Sequence, residues 1–123
     1  MNTEYTTIKE INEAIDARLQ PISEILETMS LLKKQIVTYR KTYEEIKIYA
    51  EFTKASLDCL TLLDEGNNLF DKATHIALHH LENKEYDKFR EDKKQLKEMQ
   101  GTFDKHKQLF DIYSKLRDDA DEM

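Results

Sequence analysis

Apolar residues recur at every seventh position through the first half of the chain, from Ile8 to Leu57. Most of the positions three residues further on are apolar as well. A heptad pattern of this kind predicts long α-helices that pack side by side, as in coiled coils. Other helices, or a second chain, must cover the central part of the pattern, which we interpret as an interaction seam formed by Ile22, Ile25, Met29, Leu32, Ile36, Tyr39 and Tyr43.

Breaks in this pattern divide the chain into four predicted helices. Thr7 and Glu10 have the spacing of a capping box, which places the first helix start near residue 7. Pro21 removes a backbone hydrogen bond, so the helix kinks or restarts near residue 20 without changing its heptad phase. The polar run around Gly66 gives the strongest reversal signal, since glycine readily adopts the left-handed conformation that ends many helices. We therefore predict helices over 7–20, 21–64, 68–82 and 85–117, with a frayed acidic tail over 118–123.

The composition supports a helical protein. The chain has 123 residues with only two glycines and one proline, so tight turns are scarce. Beyond Ile46 the residues Ile48, Phe52 and Cys59 form a second apolar stripe, which must be covered on another side. We expect one all-α domain, either an elongated antiparallel helical hairpin or a three- to four-helix bundle with coiled-coil-like packing.

Charge and hydropathy narrow the possible partners. The net charge of −6 disfavours binding to nucleic acid, which depends on lysine and arginine displacing counterions from phosphates. No apolar run approaches the roughly 20 residues that a membrane-spanning helix needs. The single cysteine, Cys59, cannot form an intramolecular disulfide, and the first residues lack the pattern of a secretion signal. These features together predict a cytoplasmic protein.

Three titratable residues fall on the apolar stripes of the second half. His80 and His106 lie there, and Asp92 interrupts the stripe between Leu81 and Leu96. The three could belong to a helical-bundle metalloprotein with a site made of histidine and carboxylate ligands. We favour a polar layer instead. If the chain folds back at Gly66, Asp92 lies beside Tyr39 and Arg40, where a buried hydrogen-bonded contact can fix helix register and the choice of partner.

The sequence contains no recognisable catalytic arrangement. Cys59 lies among leucines, where burial would raise its pKa, and no glycine-rich phosphate loop occurs. We expect a non-catalytic protein without a cofactor. It would act by protein–protein interaction as an adaptor, regulator or assembly subunit, and it would also associate with itself because the seam is longer than one chain can cover. The metalloprotein remains the alternative.

Overall fold

The described part of the protein is a bundle of four α-helices. The computed structural model describes residues 7–38 and 43–121, and all regular structure in these ranges is helical. The helices are α1 (Ile8–Thr38), α2 (Tyr43–Glu82), α3 (Tyr86–Glu98) and α4 (Gln100–Asp121). None of them is both long and apolar enough to cross a membrane. The predicted all-α helical bundle is confirmed.

The four helices make three arms. Arg18 of α1 forms an ion pair with Glu65 of α2 at 3.3 Å. Arg18 lies 20 residues before the end of α1 and Glu65 lies 22 residues after the start of α2, so the two helices run antiparallel. Backbone hydrogen bonds continue through Met99, so α3 and α4 form one nearly continuous third arm. The third arm returns along α2 and ends beside α1, where Lys33 Nζ and Asp119 Oδ2 lie 2.6 Å apart. At 1.5 Å per residue, each arm is about 45–60 Å long.

The apolar face of α1 forms most of the core. The heptad positions from Ile8 to Ile36 are buried, and Ile25 is half-buried. Leu19 and Leu26 are also buried, although the heptad pattern had pointed to Arg18 and Ile25 instead. Because α1 packs against both other arms, its buried face is wider than a single seam. The predicted interaction seam is therefore covered within this chain along α1, and it is not a free surface there.

Pro21 does not break α1. The helix continues from Ile8 to Thr38, so the predicted boundary between 7–20 and 21–64 is wrong. Proline removes the hydrogen bond to the carbonyl of residue 17. Both Pro21 and Ala17 are exposed, so water can hydrogen-bond to that carbonyl, and a proline costs less here than on a buried face.

Helix α1 ends at Thr38 and α2 begins at Tyr43, so this boundary between described helices falls inside the predicted second helix. A new helix can adopt a different phase, and the stripe containing Phe52 and Cys59 becomes the buried face of α2. The continued seam is wrong there, since Ile46 is 70% exposed and Leu57 is 59% exposed. The seam residue Tyr39 and the side chain of Tyr43 lie outside the described residues.

The predicted reversal at Gly66 is also wrong. Gly66 lies inside the continuous helix α2, and no described glycine has a positive φ. The reversal follows Glu82, where Lys84 adopts a φ of 59°. The Lys84 amide donates to the Leu81 carbonyl, and the Glu85 amide donates to the His80 carbonyl at 2.9 Å. This pattern ends a helix with one left-handed residue, here without glycine.

The end of the chain is held more firmly than the sequence suggested. Helix α4 extends to Asp121, so the expected fraying from residue 118 is wrong for the described residues. Ala120 is buried, and Asp119 is bound to Lys33 of α1. These two contacts hold the last turn of α4 against the first arm.

Candidate functional site

Asp92 lies in a buried polar contact, but with a different partner from the predicted one. Its Oδ2 lies 2.5 Å from Nδ1 of His80, which sits in the last turn of α2, and Asp92 is only 6% exposed. The predicted partners Tyr39 and Arg40 lie outside the described residues. Because the chain reverses after Glu82 and not at Gly66, α3 packs beside the end of α2, and Asp92 pairs with His80. The pair links α2 to α3.

His106 occupies a separate place in the bundle. Its Nε2 donates to the backbone carbonyl of Leu63, at 3.1 Å, and the ring is buried. Gly66 makes this approach possible, because a Cβ at that position would lie 2.8 Å from the same nitrogen. The ring of Phe70 meets the imidazole edge to face at 5.4 Å. His106 thus locks α4 against α2.

The three candidate metal ligands do not converge. His80 and Asp92 are together, whereas His106 contacts α2 at Leu63, about 25 Å along the helix from His80. Within residues 7–38 and 43–121, no group of three or more His, Cys, Asp or Glu side chains is arranged to hold a metal ion. The predicted His/carboxylate ligand set is therefore not assembled in the part of the chain that the structure describes.

A groove between α2 and the third arm carries two exposed phenylalanine side chains. Phe103 is 46% exposed and Phe110 is 41% exposed. Two hollows of about 330 and 300 Å³ lie along the groove, and Phe103 lines both of them. Phe70 forms the wall on the α2 side, with its ring edge-on to Phe103 at 5.3 Å. The hollows are too open to enclose a small molecule, but they suit protruding side chains of another protein.

The sequence pattern of the third arm explains this surface. Met99, His106 and Tyr113 recur every seven residues and face the core. A neighbouring row with the same spacing is only partly covered. We call this row the aromatic row, and it consists of Phe89, Leu96, Phe103 and Phe110.

In the sequence both rows belong to the apolar stripes of the second half. Apolar character alone does not tell a covered flank from an open one, so the groove was missed. A heptad count on the third arm separates the rows.

Charged side chains border the groove on both sides. On α2 the exposed residues Leu57, Asp64, Asp71 and Leu78 follow one another at seven-residue spacing, and we call them the α2 lip. On the third arm the exposed residues Lys93, Gln100 and Lys107 also follow one another at seven-residue spacing, and we call them the third-arm lip.

One lip is thus acidic at its centre and the other is basic. No protein-family model, curated protein or solved structure matches this chain. The groove and its two lips are the feature from which a function can be inferred.

Proposed function

We propose that this protein is a non-catalytic helical bundle that binds another protein chain through the groove between α2 and the third arm. An adaptor, a regulator or an assembly subunit would work in this way. The observation that carries the proposal is the aromatic row, whose last two rings, Phe103 and Phe110, are nearly half exposed. The partner would supply a helix, since seven-residue spacing in a groove matches the spacing of helical side chains.

Leaving such rings in water costs free energy that an interface can recover. Burying a large apolar side chain completely contributes about 1.5–3 kcal/mol. Within the bundle Phe103 and Phe110 gain only about half of this burial free energy, because close to half of each side chain is exposed. Aromatic residues at the centre of an interface commonly supply most of its binding energy. A partner helix on the groove would bury the exposed half of both rings.

The test is affinity capture from the native host with three forms of the protein. Phe103→Asp places a charge at the centre of the groove and should abolish capture of the partner. Ile112→Asp is the matched control, because Ile112 lies on the same helix and is 48% exposed, but it lines the groove between α4 and α1. Loss of capture with Ile112→Asp and not with Phe103→Asp would contradict the proposal. Circular dichroism must show that both variants remain folded.

A cytoplasmic location belongs to the same proposal. The single cysteine, Cys59, is free and buried, and burial raises the pKa of its thiol to about 11. A neutral, buried thiol suits a reducing compartment, although it does not require one. Fractionation of host cells with an antibody against the protein tests the location, and recovery in the secreted fraction would contradict it.

A further inference from the structure

Opposite charges on the two lips lie at nearly the same height along the bundle. Two hydrogen bonds define the alignment of α2 with α4. One joins Leu63 to His106, and the other joins Ser56 to Tyr113. In this antiparallel alignment Asp64 is level with Lys105, so Lys107 lies two residues, or about 3 Å, from the height of Asp64 along the bundle. In the described part of the chain neither Asp64 nor Lys107 makes an ion pair. The groove with its exposed aromatic rings separates the acid from the base.

We propose that the occupant of the groove is a second copy of this chain, related by a two-fold axis that runs parallel to the bundle. This inference rests on the proposed function and names its partner. Rotation about such an axis keeps every residue at its height and exchanges the two lips. Asp64 of each copy then lies across from Lys107 of the other, offset by about 3 Å along the bundle, while the rings of Phe103 and Phe110 from both copies meet between them.

Charge decides between this arrangement and its alternative. A two-fold axis perpendicular to the helices would place the α2 lip against itself, bringing Asp64 of one copy opposite Asp71 of the other. The third-arm lip would likewise face itself, with Lys93 of one copy opposite Lys107 of the other. Like charges placed opposite each other disfavour an interface, whereas complementary charges fix its register. The parallel axis is the one that pairs opposite charges on both sides of the aromatic row.

The available area is sufficient for a weak dimer. The aromatic row from Phe89 to Phe110 is about 32 Å long, and the groove is two helices or about 20 Å wide. Each copy would therefore bury about 600 Å², which is about 1,200 Å² in total and at the lower end of stable interfaces. We expect a Kd on the order of 10 μM, because exposed ion pairs add little affinity and serve to select the arrangement.

Sedimentation equilibrium over about 1–200 μM tests the proposal with charge reversals that leave the core untouched. Asp64→Lys and Lys107→Asp should each raise the dimer Kd by about tenfold, and the double variant should return it to within about threefold of the parent. The controls are Asp16→Lys and Lys34→Asp, which make the same charge changes on exposed positions of α1. Neither control should shift the Kd.

Each other outcome overturns the proposal. If the parent protein stays monomeric at 200 μM, the dimer is excluded. If the charge reversals leave the dimer Kd unchanged, the dimer uses another surface. A tighter dimer after Asp64→Lys would indicate the perpendicular axis, in which the new lysine faces Asp71. If the parent is monomeric but capture from the host is lost with Phe103→Asp, the proposed function stands and only the identity of the partner is wrong.

Discussion

The contact between Gly66 and His106 offers the sharpest test of this structure. A Cβ at position 66 would lie 2.8 Å from Nε2 and 2.9 Å from Cδ2 of the imidazole, so the ring must move if alanine is introduced. The same nitrogen donates to the Leu63 carbonyl, and Phe70 packs against the ring. Gly66→Ala should therefore break a buried hydrogen bond and disturb the packing between α2 and α4.

The magnitude follows from opposing effects. Alanine favours the helix over glycine by about 1 kcal/mol. A buried donor left without its acceptor costs about 1–3 kcal/mol, and overpacking costs about 1–3 kcal/mol more. We expect Gly66→Ala to lower the free energy of unfolding by about 1–5 kcal/mol, or the Tm by roughly 4 °C for each kcal/mol. Urea denaturation followed by circular dichroism measures the first quantity directly.

Two controls make the result specific. Gly101 lies in α4 with open space around its Cα, so Gly101→Ala should stabilise the protein by about 0.5–1 kcal/mol. In a His106→Ala background the obstruction is gone, and Gly66→Ala should then become stabilising by a similar amount. If Gly66→Ala stabilises the parent protein as much as Gly101→Ala does, the close approach of His106 to α2 is refuted.

Three further predictions concern the core, the thiol and one ion pair. Leu32→Ala should lower the free energy of unfolding by about 2–5 kcal/mol and Lys34→Ala by under about 0.5, since Leu32 is buried and Lys34 exposed; equal effects in urea denaturation would mean that the α1 register is wrong. Burial raises the pKa of the Cys59 thiol to about 11, so Ellman's reagent at pH 8 should react only as the protein unfolds; labelling at the rate of a free thiol would contradict its burial. The hydrogen bond from Lys33 lowers the pKa of Asp119, so Asp119→Asn should lower the Tm at neutral pH. The Tm difference between the variant and the parent should vanish as the pH falls through that lowered pKa, because the parent loses the ion pair there. A Tm difference independent of pH would contradict this ion pair.

The first arm could be predicted well from the sequence because its signal is local. Apolar residues at helical spacing from Ile8 to Ile36 define one face, and that face is buried. The arm's end at Thr38 could not be predicted in the same way. The segment between Thr38 and Tyr43 contains neither glycine nor proline, and its tyrosine continues the heptad count. A periodic pattern therefore runs across a break that local signals do not mark.

Gly66 shows why the reversal was misplaced. A glycine in a polar run signals a helix end when it adopts a left-handed conformation, but it can also serve where another side chain must come close. Here it has the second role, because His106 occupies the space that a Cβ would take. The sequence does not reveal which residue from a distant helix will be the neighbour. The true reversal uses Lys84 in the conformation that glycine usually adopts.

The sequence predicted that Asp92 makes a buried polar contact, but it did not predict which residue is the partner. A carboxylate interrupting an apolar stripe must find a hydrogen-bonding partner when it is buried, and Asp92 has one. Which residue supplies the partner depends on where the chain reverses. With the reversal placed at Gly66 the partner was Arg40, whereas the reversal after Glu82 brings His80 to the same carboxylate.

The aromatic row is protected unevenly, and this unevenness locates the centre of the proposed interface. At one end the ammonium group of Lys93 lies 5.5 Å above the ring of Phe89 and shields it from water. Further along the row the ring of Phe103 is edge-on to that of Phe70 and is nearly half exposed. Asp64 and Lys107 each lie within about one helical turn of this ring along the bundle. Recognition centred on Phe103 would therefore join the least protected aromatic surface to the charges that can select a single arrangement.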